Sequence, residues 1–82
     1  MSYQEREISK DSLPKQLRVL DSDEGVRIES ETGFIFINKT SRRYCIDISK
    51  NGSDEFFYMN SVDDVLSFLT NKMDASSKIF SY

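Results

Sequence analysis

Residues 43–49 (Arg-Tyr-Cys-Ile-Asp-Ile-Ser) and 55–59 (Glu-Phe-Phe-Tyr-Met) flank an Asn51-Gly52 dipeptide. A type I′ turn needs positive φ at both central residues, and Asn followed by Gly adopts that conformation at least cost. The dipeptide therefore predicts a hairpin of strands 43–49 and 55–59. With Asn51 and Gly52 as the loop, Ser49 faces Asp54, Ile48 faces Glu55, Ile46 faces Phe57 and Tyr44 faces Met59. Cross-strand partners share a face. Tyr44, Ile46, Ile48, Phe57 and Met59 thus lie on one side, and Arg43, Cys45, Asp47, Phe56 and Tyr58 on the other. The first set makes the better core.

A helix is predicted over 62–73. Ser61 is a good N-cap, with Asp64 three residues on as a short capping-box acid. Asp63 and Asp64 suit the positive end of the helix dipole and Lys72 the negative end. Val62, Val65, Leu66, Leu69 and Met73 recur at the spacing of one buried stripe, with Phe68 at its edge.

The segments before this unit read as further strands of the same sheet. Residues 1–12 are polar and read as a flexible terminus. After Ser12-Leu13-Pro14, two patterns compete: Leu13, Leu17 and Leu20 at helical spacing, or a strand over 16–20 with Leu17 and Val19 on one face. The strand is the favoured reading. Asp21–Gly25 has turn composition, and Val26-Arg27-Ile28-Glu29 alternates strictly. A three-residue loop at 31–33 would set Val26 and Ile28 beside Phe34 and Phe36. A two-residue loop at Thr32-Gly33 would set them beside Ile35 and Ile37, because a one-residue slip exchanges faces. Either way 34–37 is apolar on both sides, as a central or covered strand should be. Residues 75–82 read as a tail or short edge strand, and Ile79, Phe80 and Tyr82 suggest that it docks. The expected architecture is α+β: one domain over 13–74, with an antiparallel meander of four to five strands against one C-terminal helix.

An 82-residue chain with 30% charged and 38% apolar residues fits a single soluble globular domain of modest stability. No run near twenty apolar residues and no basic-then-apolar leader occurs, so neither a membrane span nor a signal peptide is expected. One cysteine, Cys45, cannot form an internal disulfide and suits a reducing, cytoplasmic setting. The formal charge of −3 argues weakly against non-specific attachment to nucleic acid, whose affinity comes mainly from phosphate neutralisation.

Catalytic chemistry is sparse. Histidine, the commonest general base and metal ligand, is absent, and the three glycines fall in predicted turns rather than a phosphate loop. No acid pair lies in an apolar setting that would raise a pKa. We therefore expect no catalytic residues, no cofactor and no metal. Asp21, Asp23 and Glu24 form a fragment of a calcium loop, but the glycine falls at the fifth place rather than the sixth. Cys45 reads as a packed strand residue rather than a reactive thiol. Lys39, Arg42 and Arg43, with Lys50 at the next turn, form a basic cluster suited to phosphate contact or to protecting a sheet edge.

The second sheet face is the most informative feature. One helix cannot cover both sides of a sheet. Phe56, Tyr58, Cys45 and one apolar pair from 34–37 must be shielded by a terminal segment, a second copy or a partner. The expected function is a non-enzymatic module that occludes a partner protein, through Phe34, Phe36, Phe56 and Tyr58 with Asp54, Glu55, Arg42 and Arg43. In size and layout the chain resembles small phage-borne inhibitors of bacterial defence, the anti-restriction and anti-CRISPR proteins. Strands followed by a helix also look like the whirly and coactivator type of single-strand-binding domain, which implies a nucleic-acid alternative. A homodimer built on the aromatic face is the third reading.

Overall fold

The computed structural model describes residues 5–31, 33–73 and 76–82. Among them are six strands and two helices, in the order β1 (Arg6–Ile8), α1 (Leu13–Arg18), β2 (Gly25–Ser30), β3 (Gly33–Lys39), β4 (Tyr44–Lys50), β5 (Ser53–Met59), α2 (Val62–Thr70) and β6 (Lys78–Ser81). All strand pairs are antiparallel, and the sheet runs β1-β6-β2-β3-β4-β5.

The β4–β5 hairpin forms as the Asn-Gly turn dictates. Asn51 and Gly52 take φ of 53° and 80°, and pairing runs from Lys50 with Ser53 to Tyr44 with Met59. The helix cap forms as well: the Ser61 hydroxyl oxygen accepts the Asp64 amide at 3.1 Å. The helix is shorter than its apolar pattern, because Lys72 and Met73 both donate backbone N–H groups to the Leu69 carbonyl and close the last turn after Thr70.

The strands of 25–39 pair Val26 with Ile37 and Ile28 with Ile35. The β-branched residues thereby face the helices, and Phe34 and Phe36 face away. Gly33 is required by a close approach: a Cβ there would run into the backbone carbonyl oxygen of Ser49.

Four expectations need correction. Residues 16–20 are not a strand, since α1 spans Leu13–Arg18. Pro14 stands in the first turn, where its fixed φ and missing N–H cost nothing. Leu17 is 0% exposed and Val19 58%, so these two do not share a face as a strand would require. The sheet has six strands and a crossover rather than four or five in a meander. The terminus read as flexible contributes β1 and a 3-10 turn at Lys10–Ser12. The tail becomes β6, an inner strand between β1 and β2 rather than an edge. The helix exit at 74–75 lies outside the described residues.

These additions place both helices on one face. Val26, Ile28, Ile35, Ile37, Tyr44, Ile46 and Ile79 from the sheet meet Leu13, Leu17 and Leu20 of the α1 segment and Val65 and Leu69 of α2. Phe57 packs on Phe68 with centroids 4.8 Å apart. Burying one such aliphatic side chain contributes about 2 kcal/mol.

Candidate functional site

Among the described residues both α-helices pack on one face of the sheet, and neither lies on the opposite one. Strand register places Glu7, Phe80, Arg27, Phe36, Asp47 and Phe56 in one row across all six strands. Two flanking rows pass through Glu29, Phe34, Ser49 and Asp54, and through Asn38, Cys45 and Tyr58.

The half of this face over β1, β6 and β2 is closed by a charge network. The Arg27 guanidinium lies 4.5 Å from the Phe80 ring centroid and 5.7 Å from that of Phe34. Glu5 accepts from it twice, at 2.9 and 2.8 Å, and Glu29 once at 3.0 Å. The hydrogen bond from Arg27 holds the Glu5 carboxyl below its ordinary pKa. The hydrogen bonds to Glu5 and then Glu29 raise that of Arg27, outweighing its partial burial. This ionic lid lays a cation over the Phe80 ring, which the aromatic quadrupole favours.

The half over β3, β4 and β5 is open. Phe34, Phe56 and Tyr58 are 41%, 58% and 55% exposed, while Phe36 is half-buried beside Phe34, with centroids 6.1 Å apart. Asp47 stands between Phe36 and Phe56 in register. Its Oδ1 is buried and has no hydrogen-bond partner among the described residues. Burial raises the Asp47 pKa, and the Asp54 carboxylate raises it further.

Of the residues singled out in the sequence, Phe34, Phe36, Phe56, Tyr58, Asp54 and Arg43 share this face. The Arg43 guanidinium stacks 4.6 Å from the Tyr58 centroid. Arg42 lies in the exposed 40–43 loop, where Thr40 binds the Arg43 carbonyl. Together with Thr40, Ser41, Arg43, Tyr58 and Asn60 it lines a shallow cleft of about 630 Å³ at the sheet's end. Glu55 is separated from the rest. It pairs with Ile48 on the helix side and borders a cleft of about 300 Å³ with Lys72 and Asn71.

The basic cluster is dispersed as well. Lys39 lies 5.5 Å from the Tyr44 centroid on the helix side, and Lys50 ends β4 at the far end of the sheet from Arg43. Cys45 is a free, half-buried thiol opposite Tyr58. The Asp21–Gly25 segment is a turn closed on itself: the Asp21 amide donates to Glu24 Oε1 at 2.9 Å, and the Glu24 amide to the Asp21 carbonyl at 3.0 Å. Among the described residues no three Cys, Asp or Glu side chains gather as a metal site.

Sequence reasoning did not single out Asp47, Arg27 or Phe80 as site residues, although it marked Phe80 as a docking residue of the tail. Asp47 was within reach, since the hairpin parity puts it on the aromatic face. Arg27 and Phe80 become neighbours through a β2–β6 pairing that carries no local signal. Comparison with protein-family models, with curated proteins and with solved structures finds no match to this chain in any of the three.

Proposed function

We propose that this protein is a non-enzymatic binding module that acts by covering a surface of a partner protein, with the β3–β5 half of the open face as its contact. The observation that carries this reading is the placement of Phe34, Phe56 and Tyr58 in solvent on a sheet whose other face packs both helices. Aromatic side chains on a rigid scaffold lose little conformational entropy on docking and supply large contact area, and they are enriched at interface centres. Exposed aromatic side chains grouped on one face mark interaction sites. Occlusion is also how the small anti-defence proteins that the chain resembles in size and layout would act.

The nucleic-acid alternative is supported by Arg43 on Tyr58 and the Arg42 cleft. Against it, Asp47 and Asp54 sit among the rings that bases would stack on, and carboxylates there repel phosphates.

The test compares the wild type with the F34S/F56S/Y58S variant. Capture from a host lysate is expected to yield a stoichiometric protein with the wild type and none with the variant, at matched melting temperatures. Light scattering showing a dimer that the variant abolishes would reassign the face to self-association. Salt-sensitive micromolar oligonucleotide binding in fluorescence polarisation would favour the nucleic-acid reading.

A further inference from the structure

Asp47 occupies an unusual position for a carboxylate. It lies mid-strand in the second strand from the β5 edge, half-buried, with Phe36 and Phe56 as its cross-strand neighbours. Such neighbours hold their Cβ atoms about 5 Å apart, so the two aromatic residues flank Asp47 on either side along the row. One oxygen is fully buried and accepts no hydrogen bond from the described residues. A buried acceptor left unpaired is costly, more so when charged.

The same face shows how a charge among these rings is satisfied. Arg27 stands in the same row, with Phe80 and Phe36 as its in-register neighbours. Its guanidinium lies over Phe80 and Phe34 and is bound by two carboxylates. Asp47 is the opposite half of such a unit: aromatic walls and an anion, without the cation. Two arginines whose guanidinium groups lie on this face are engaged with other residues, Arg27 with Glu5 and Glu29 and Arg43 over Tyr58.

We infer that the open face receives an arginine side chain of a partner protein, its guanidinium seated on the Asp47 carboxyl between Phe36 and Phe56. This rests on the binding reading above and specifies the partner's chemistry. A guanidinium fits better than an ammonium because it is planar, stacks on rings and presents parallel donors to a carboxylate. The overall charge of −3 and Asp54 in the adjacent row favour a basic occupant. They disfavour a nucleic acid or an acidic peptide at the same place.

The experiment titrates the isotopically labelled full chain with acetyl-Gly-Arg-Gly-amide and with the same peptide carrying citrulline, the neutral isostere. The arginine peptide is expected to shift the amides of Phe36, Asp47 and Phe56, and citrulline to bind about tenfold more weakly. Peptide saturation should also move the Asp47 carboxyl titration to lower pH. Asp47→Asn is expected to remove the response, while Asp63→Asn, an equal charge change on α2, retains it. Equal binding of the two peptides, shifts scattered elsewhere, or an unaltered response in D47N overturns the inference. Partner capture that needs Phe34, Phe56 and Tyr58 but is unchanged by D47N overturns it too, and leaves the binding reading standing. Capture indifferent to the aromatic residues removes both.

Discussion

The phenolic hydroxyl of Tyr44 donates to the backbone carbonyl of Leu17 over 2.9 Å inside the core. It ties β4 to α1. Tyr44→Phe keeps the ring but leaves that contact unmade, for an expected loss of about 1 kcal/mol. Urea denaturation should show a lower midpoint with an unchanged slope. Amide exchange should rise more in α1 than in the β4–β5 hairpin.

Asp47 makes stability depend on pH in a specific direction. Its folded pKa lies above the unfolded value of about 3.9. The folded state therefore binds the proton more tightly, and the stability this supplies is complete below that value and lost as pH rises through the folded pKa. Asp47→Asn is expected to stabilise the protein near neutrality by about 1 kcal/mol, with the advantage fading in acid. Denaturation midpoints of both proteins across the acid range check the sign.

Glu5 acts in the opposite sense. Its pKa is lowered by the hydrogen bond from Arg27, so its contribution is present above the unfolded value of about 4.3. That contribution is lost as pH falls through the folded pKa. Acid should loosen β1 before the rest of the sheet, seen as early amide exchange at residues 6–8. Glu5→Gln should reproduce the loosening at neutral pH.

Two glycines are needed for different reasons, and alanine separates them. At Gly33 an added Cβ collides with the Ser49 carbonyl oxygen and comes within 3.3 Å of the Lys50 Cα, both backbone atoms. Gly33→Ala is expected to cost about 3 kcal/mol. Gly52 has open space around it but a φ of +80°, and Gly52→Ala should cost about 1 kcal/mol. Thermal unfolding of the two variants side by side measures the difference.

What could be read in the sequence was what depends on neighbours along the chain. Asn51-Gly52 and Ser61 act through their own backbone conformation, so the β4–β5 hairpin and the start of α2 follow from a few residues each. Leu13, Leu17 and Leu20 were ambiguous because Leu17 and Val19 alternate as a strand would. Pro14 in the first turn and the burial of Leu20 against the sheet decide for the helix. The β2–β3 register was ambiguous because the 31–33 stretch lacks a primed-turn dipeptide, and the collision at Gly33 shows what the local pattern omitted. Pairing of Arg6 with Ser81 and Ile8 with Ile79 joins opposite ends of the chain, so no short window contains both partners. The same parity that puts Phe56 and Tyr58 on the open face puts Glu55 on the other, which separates it from the residues it was grouped with.

The strand order carries a consequence for how the chain is made. β6 takes the slot between β1 and β2, so the first of these six strands to be synthesised waits for the sixth before it gains a neighbour. β2 through β5 are joined by successive hairpins and can zip as they emerge, whereas the flank of β2 stays bare until residues 78–81 clear the exit tunnel. Losing those few residues would therefore cast off β1 along with β6 and leave the β2 flank free to template against another nascent polypeptide.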